Sequence, residues 1–152
     1  MDKKYDEKQD SRNCFWKWVE IPRYDGQLYI KRLIIIRLPW FAIMLHKIYL
    51  SDTDCQHSHP WNFISILLSG WYREWIPSSS SKTGQEGKVF KKGSILYRPA
   101  DWVHRLEVNE RQDGKPAVTT LVFTGSQIRN WGFHTPKGFV PWKQYKSTGS
   151  CN

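Results

Sequence analysis

Three histidines in this chain are spaced so that they could hold a metal ion. His57 and His59 are one residue apart, and the side chains of an extended segment point alternately to its two faces, so both imidazoles would lie on one side. His104 ends a second segment that opens at Gly93 and turns at Pro99. Three imidazoles on one face suit iron, copper, nickel or zinc. The spacing therefore predicts a metal centre of His57, His59 and His104.

These histidines also have a simpler interpretation, as exposed or capping side chains without a metal. As ligands, they would need partners for their second ring nitrogens, such as Asn62, Glu74 or a backbone carbonyl. Glu74 has the same strand parity as Tyr72, and both are candidate catalytic residues that could move protons in a pocket. The alternative for Glu74 is a surface carboxylate paired with Arg73 or Lys91.

Aromatic and basic side chains near the histidines could bind a planar or anionic molecule. Arg98 and Arg105 flank the segment that leads to His104, and they are the preferred contacts for a carboxylate or phosphate. Trp61 and Tyr97 are the preferred stacking contacts. Aromatic residues on strands more often belong to a core, so we expect only one or two of the candidates to touch a ligand. The aromatic candidates are Trp61, Tyr72, Trp75, Tyr97, Trp102 and Trp131.

The three cysteines, Cys14, Cys55 and Cys151, are odd in number, far apart and not in a CxxC pair. This pattern argues against a disulfide framework and for a reducing compartment, so the predicted location is the cytoplasm. The N-terminal residues are polar and of mixed charge, unlike a signal peptide, and no apolar run is long enough to cross a bilayer. Cys55 has the parity of the histidine pair, which makes a sulfur ligand conceivable, but a small residue at a strand edge is the preferred interpretation.

The elements that must position these residues are predicted to be strands. The 152-residue chain fits one domain, and its 9 Trp, 7 Tyr and 7 Phe favour strands and pocket walls. No segment has a helical period, and many short strands separated by turns indicate an all-β sandwich or barrel. The predicted strands are 15–21, 27–38, 41–50, 63–70, 71–76, 88–90, 94–98, 104–108, 118–124 and 132–134.

The domain is predicted to cover residues 14–146. Residues 1–13 and 147–152 are predicted to be flexible tails. The Ser- and Gly-rich stretch 78–87 is predicted to be a flexible loop between two strands. The net charge of +9 suggests an anionic partner. Because the basic residues are scattered, a small anion is preferred to nucleic acid, and a merely solvated basic surface remains the simplest interpretation.

The two histidine segments resemble the paired motifs of the cupin superfamily. His57, His59 and Gly70 match the first motif, G-x5-H-x-H-x3-4-E-x6-G, and Gly93, Pro99 and His104 match the second, G-x5-P-x-G-x2-H-x3-N. The resemblance implies a single-domain antiparallel β-barrel of the jelly-roll type, often a homodimer.

The chain departs from these motifs at three places. Phe63 or Ile64 stands where the first motif has a glutamate ligand, and Asp101 and Asn109 depart from the second motif. The three histidines that remain are similar to the site of cupin thiol dioxygenases, with open positions for a reacting metal. The implied metal is a divalent ion, Fe(II) first, with Zn, Ni or Mn as alternatives.

A longer resemblance covers nearly all of residues 38–145. It is to a poorly characterised group of cupin-like proteins from bacteria and phages, and it strengthens the predicted fold without indicating the chemistry. The shared segments are Pro39-Trp40-Phe41, His46-Lys47-Ile48, His59-Pro60-Trp61, Gly70-Trp71-Tyr72-x-Glu74, 121–125 and 131–139.

Three functions follow from these observations. The first is a metal-dependent enzyme, an Fe(II)-type oxygenase acting on a small anionic or planar substrate. The second is a cupin that binds or sequesters a nucleotide-like anion without turnover, which the missing glutamate and the basic charge favour. The third is a structural or interaction module that forms a dimer and needs no ligand.

Overall fold

Twelve antiparallel strands account for the regular structure of the part of the chain that is described. The computed structural model describes residues 13–53, 55–145 and 151. In these ranges there is no helix long and apolar enough to cross a membrane. The strands are β1 (Cys14–Pro22), β2 (Leu28–Leu38), β3 (Phe41–Ile48), β4 (Gln56–His57), β5 (Phe63–Ser69), β6 (Trp71–Pro77), β7 (Gln85–Lys91), β8 (Ile95–Arg98), β9 (Arg105–Val108), β10 (Val118–Thr124), β11 (Gly132–Thr135) and β12 (Gly138–Pro141).

One wall of the barrel is a six-stranded sheet in the order β1-β2-β3-β10-β5-β8. Strand β10 lies at its centre, and its burial alternates strictly, with Val118, Thr120, Val122 and Thr124 buried and the residues between them partly exposed. This alternation places every second residue toward the interior, as the period of a strand requires. The β-branched residues of β10 explain why this segment forms a strand.

The opposite wall consists of two three-stranded ladders, β12-β11-β4 and β7-β6-β9. An isolated antiparallel bridge between His57 and His104 joins them. The two residues exchange both backbone hydrogen bonds, with N···O distances of 2.8 and 3.0 Å. Two of the predicted ligands therefore occupy facing positions at the seam between the ladders.

Apolar side chains fill the space between the walls in two clusters. The larger cluster consists of Ile48, Leu67, Tyr72, Val108 and Val118. The smaller one is built on Ile34, Ala42 and Met44, with Trp61 packed against it. The chain is thus a single-domain, all-β antiparallel barrel, and the predicted fold class is confirmed.

The structure differs from the predicted elements in three places. Strand β4 is only two residues long, and β12 forms at 138–141, where no strand was predicted; its first residue, Gly138, has a φ of 111°. Strand β7 begins at Gln85, inside the predicted loop 78–87, because residues 85–87 pair with 75–77 of β6. Gln, Glu and Gly have low strand propensity, so only the pairing with β6 reveals this part of the strand. Most of the two predicted tails, residues 1–12, 147–150 and 152, lies outside the described residues.

The cysteine pattern argued against a disulfide framework, but the structure contains one disulfide. Cys55 and Cys151 form a disulfide, and Cys14 is free. Cys55 is therefore not available as a sulfur ligand. The two cysteines are 96 residues apart in sequence, and only the folded barrel brings them together. A reducing compartment does not normally maintain such a bond, so the disulfide counts against the cytoplasmic location predicted from the cysteine pattern.

Gly70, which matches the first cupin motif, links β5 to β6 in a left-handed conformation with a φ of 76°. A Cβ at this position would lie 2.1 Å from the carbonyl oxygen of Ala117. We expect Gly70→Ala to lower the free energy of unfolding by about 2 kcal/mol or more, because backbone strain and a backbone clash add together. Urea denaturation measures the change.

The matched control is Gly84→Ala, at a φ of 72° with no atom within 4 Å of the added Cβ. Its free energy of unfolding should fall by about 1 kcal/mol, because only the strain of a left-handed alanine is added. Equal losses for the two variants would contradict a steric role for Gly70.

Candidate metal centre and cavity

The structure brings the three predicted histidines together. His57 lies on β4, His59 follows two residues later, and His104 immediately precedes β9. One ligand nitrogen from each lies within 4.8 Å of the others. The Nε2 atoms of His59 and His104 are 2.8 Å apart. The histidines are not the exposed side chains of the alternative interpretation, since His57 and His59 are partly buried and His104 is buried.

The donor set fits a divalent metal ion. Two nitrogens bound to one ion at about 2.1 Å lie about 3.0–3.4 Å apart, and the His59–His104 pair is already close to this separation. Burial, with a smaller contribution from His104, lowers the pKa of His57 to about 3 and that of His59 well below its usual value. Both rings are therefore neutral near pH 7, which is the form that binds a metal.

Glu74 holds the outer nitrogen of His104. Its Oε1 lies 2.5 Å from His104 Nδ1, and its two oxygens also accept hydrogen bonds from the guanidinium of Arg98 at 3.0 and 2.5 Å. Trp102 Nε1 donates to the same carboxylate at 3.2 Å. Burial alone would raise the pKa of Glu74, but the bonds from His104 and Arg98 outweigh it and lower the pKa to about 2. The carboxylate is thus ionised and fixes the orientation of the His104 ring.

Asp52 stands behind His57 in a similar way. Its Oδ2 lies 3.8 Å from His57 Nδ1 and accepts a hydrogen bond from the backbone N–H of Leu106 at 2.6 Å. The hydroxyl of Tyr29 donates to its other oxygen. Burial raises the pKa of Asp52 to about 6, although the hydrogen bond from the backbone of Leu106 lowers it in part. Sequence analysis did not select this residue, because it lies between the predicted strands 41–50 and 63–70 with no motif around it.

The histidines open onto a cavity of about 780 Å³ between the two walls of the barrel. Its lining is mainly apolar, with several polar side chains placed around it. Arg32 on β2 donates from Nε to His46 Nε2 at 2.9 Å. Burial, together with the charges of Arg32 and Arg37, lowers the pKa of His46 well below its usual value. The polar and aromatic lining that sequence analysis did not select includes Arg32, Arg37, His46, Gln127, Trp142 and Lys143.

The other predicted site residues divide into two groups. Tyr72, Glu74, Trp61 and Arg98 line the cavity with the histidines. The guanidinium of Arg98 is engaged with Glu74, so this arginine holds the carboxylate in place. The alternative of a surface Glu74 paired with Arg73 or Lys91 is not what the structure shows, since Glu74 is only 3% exposed.

Tyr97 and Arg105 do not join the site. The Tyr97 side chain is 58% exposed on the outside of the six-stranded sheet. Arg105 lies over the ring of Trp75 at 5.3 Å and donates to Gln85. Both residues sit on strands next to site residues, but the alternation of the strand turns Tyr97 away from Arg98.

Comparison with known proteins identifies the fold. No family model and no curated protein sequence matches the chain. Among solved structures, the Fe(II) form of HppE has a TM-score of 0.55 at 11% identity, over 75% of this chain and 64% of its own. This chain therefore spans less than two thirds of HppE.

Two smaller proteins match over most of their length. KdgF from Halomonas sp. has a TM-score of 0.52 at 15% identity, covering 76% of this chain and 96% of its own. Pac13 from Streptomyces, described as a nucleoside dehydratase and solved with uridine, has a TM-score of 0.55 at 6% identity, covering 87% and 93%. All three have the cupin fold, and so does this chain, which confirms the fold that the resemblance implied.

The role of Glu74 can be tested with Glu74→Gln. The amide keeps the shape but loses the charge that balances Arg98 and orients His104. We expect metal affinity to fall about 10–100-fold, and the free energy of unfolding to fall by about 3 kcal/mol because a buried ion pair is broken. Metal titration followed by calorimetry and urea denaturation measure the two effects.

Glu86→Gln is the matched control, because Glu86 is an exposed carboxylate on the neighbouring strand β7. It should change neither quantity. Unaltered metal affinity in Glu74→Gln would show that the carboxylate does not support a ligand.

Proposed function

We propose that this protein is a metal-dependent enzyme of the Fe(II) oxygenase type, with the metal held by His57, His59 and His104. The observation that carries the proposal is the convergence of three imidazoles on the wall of a cavity of about 780 Å³, with His57 and His59 in their neutral form and His104 buried. Two carboxylates stand behind the ligands, one near His57 and one bonded to His104. Such support is typical of metal-binding histidines.

A bound Fe(II) would supply open coordination positions for dioxygen or substrate. Among the described residues, the cluster offers three histidines and no carboxylate as a fourth ligand. The protein's own residues set the surroundings. Tyr72 lines the same cavity, and burial and the charge of Glu74 raise the pKa of its hydroxyl. The hydroxyl therefore stays protonated and is suited to donate a hydrogen bond or proton to a substrate.

The substrate class proposed is a small anionic or planar molecule. Arg32 and Arg37 bring positive charge to the cavity wall, and Lys143 adds a cation from the segment after β12. Trp131 and Trp142 stack on each other with ring centroids 5.5 Å apart, and both line the cavity. Positive charge and flat aromatic faces together favour such a ligand.

Metal content tests the proposal directly. Protein purified without added metal should carry about one divalent ion per chain, measured by elemental analysis. His57→Ala and His104→Ala should each lose most of it, since two nitrogens hold a divalent ion far less tightly than three. The measurement also identifies the metal and so tests the choice of iron.

His134→Ala is the control variant, because His134 is an exposed histidine on β11. It should keep the metal content of the wild-type protein. Metal retained at the wild-type level in both ligand variants, with their folding checked by circular dichroism, would exclude this centre.

A second candidate function is ligand binding without turnover. The stacked pair Trp131 and Trp142 at the cavity favours it, since this pair offers a platform for a nucleobase. Uridine monophosphate, a planar anion, is a suitable probe. At about 100 times its Kd it should raise the Tm by about 5 °C or more. Mass spectrometry of the ligand after incubation distinguishes binding from reaction.

Trp142→Ala should remove this shift, whereas Trp40→Ala should keep it. Trp40 is 63% exposed and does not line the cavity, so Trp40→Ala makes the same substitution outside the site. A shift that survives Trp142→Ala would place the ligand elsewhere. The third candidate function, an interaction module that forms a homodimer, does not depend on this cavity.

A further inference from the structure

The cavity reaches solvent at one end of the barrel. Of the described residues that line it, the exposed ones are Pro39, Gly125, Gln127 and Lys143. They belong to the turn between β2 and β3, the loop after β10 and the segment after β12. The first two meet at the same end of the six-stranded sheet, because Thr124 of β10 is the partner of Ala42 of β3. We call this end the mouth of the cavity.

Exposed apolar side chains stand directly beside the mouth residues. Trp40 follows Pro39 at the tip of the β2–β3 turn and is 63% exposed, and Ile128 follows Gln127 and is 62% exposed. Turns usually carry Gly, Asn, Asp or Ser at such positions, where the side chain meets water. Neither Trp40 nor Ile128 buries its side chain in the barrel, so the core does not explain them.

A third large apolar side chain lies at the same end. The start of β1 runs beside the end of β2, since Cys14 is the partner of Arg37, and this places Trp16 near the β2–β3 turn. Trp16 is 71% exposed. Its backbone has a φ of 50°, a left-handed conformation that is unfavourable for a bulky residue. A strained backbone thus holds a tryptophan in the solvent.

The charges at the mouth are mostly positive. Cations follow or precede the exposed apolar residues in sequence, and these are Lys17, Arg129 and Lys143. Lys143 also lies over the ring of Trp142, 5.7 Å from its centroid. Asp101 is the only acidic side chain in the described segments of this end, which are 13–18, 36–43, 58–64, 97–104, 124–133 and 140–145.

The other end of the barrel is finished with ion pairs. Arg23 pairs with Asp25 at 2.7 Å and with Glu110 at 3.5 Å, and Arg111 pairs with Asp113 at 2.5 Å. Both signs of charge are present there and compensate each other. The combination of apolar tips with an excess of positive charge therefore distinguishes the mouth.

We propose that the mouth docks on an anionic lipid surface. Tryptophan is favoured at the boundary between lipid and water, because its ring is apolar and its N–H is polar. Apolar side chains at loop tips can enter the head-group region without any segment that spans the bilayer. Anionic lipids attract the cations beside them, and each such cation strengthens binding by about fivefold.

Lipid fits this surface better than nucleic acid does. Single-stranded nucleic acid is bound by a groove of aligned cations, with aromatic rings on which successive bases stack. At the mouth the exposed cations are few, and Ile128 protrudes without a face for stacking. The Pro39–Trp40 turn protrudes in the same way, as a side chain that enters a lipid layer must.

Docking in this orientation turns the cavity toward the lipid. A molecule held in the lipid layer would then meet the cavity without crossing open water. This proposal goes beyond the proposed function and does not need it, because the metal ligands His57, His59 and His104 are not among the exposed residues of the mouth.

Vesicle binding by the full chain tests the proposal. Vesicles of equal parts phosphatidylglycerol and phosphatidylcholine should bind it about tenfold or more tightly than phosphatidylcholine alone, because only the former attract the cations. Added salt should weaken this binding. Ile128→Glu should weaken it about tenfold or more, since it replaces an inserting side chain with a charge that the lipid repels. Co-sedimentation measures each affinity.

Ile95→Glu is the matched control, because Ile95 is 69% exposed on β8 and lies away from the mouth. It makes the same substitution and should bind vesicles as the wild-type chain does. His57→Ala should also bind them fully while losing its metal. Failure of the metal centre and failure of docking are therefore distinguishable.

Tryptophan fluorescence shows which end of the barrel touches the lipid. Bromine on the acyl chains of the vesicles should quench the emission of the bound chain. Trp40→Phe should lose a clear share of this quenching. Trp71→Phe should keep it, because Trp71 is 40% exposed and follows Gly70 at the other end of the barrel.

Three results would overturn the proposal. The first is a wild-type chain that does not prefer the anionic vesicles. The second is equal vesicle binding by Ile128→Glu and Ile95→Glu, both folded by circular dichroism, or quenching that Trp40→Phe leaves unchanged. The third is a single-stranded oligonucleotide that binds more tightly than the vesicles, which would identify nucleic acid as the partner.

Discussion

The backbone bridge between His57 and His104 is the contact on which the site depends. It joins two three-stranded ladders into one wall, and it sets two imidazoles in facing positions. His59 lies two residues after His57, and its Nε2 is 2.8 Å from that of His104. Beside this bridge, the N–H of His59 donates to the carbonyl of Ala100 at 3.1 Å and the N–H of Asp52 to that of Leu106 at 2.9 Å. The backbone contacts that join the two ladders therefore also set the geometry of the centre.

Buried charge around the histidines is the cost of this arrangement. Glu74 and Asp52 are removed from water, and each is compensated by donors: Arg98, Trp102 and His104 for the first, Tyr29 and the backbone of Leu106 for the second. A well-packed apolar core would often be at least as stable as such an ion pair. The retention of two compensated carboxylates behind the histidines is therefore better explained by the site than by the fold.

The alternation of the strands decides which side chains of the six-stranded sheet reach the cavity. Met44, Val122 and Ser65 are in register and line the cavity, whereas Ile64 and Tyr97 are exposed on the outer face. A slip of one residue in the register of any strand would exchange these sets, so the cavity and the outer surface constrain each other. This also explains why Arg98 reaches the site while its neighbour Tyr97 does not.

The sequence by itself determined the strand-rich fold and the three histidines, since both follow from short-range patterns: alternation, turn residues and the spacing of two motifs. Its prediction for the cysteines failed, because Cys55 and Cys151 meet only through the closure of the chain over 96 residues. Asp52, Arg32 and Trp142 were not predicted for the same reason, and Tyr97 and Arg105 were expected in the site but lie outside it. Only the tertiary structure decided these placements, because they depend on which strands pair and in which register, and a local pattern does not encode contacts between distant segments.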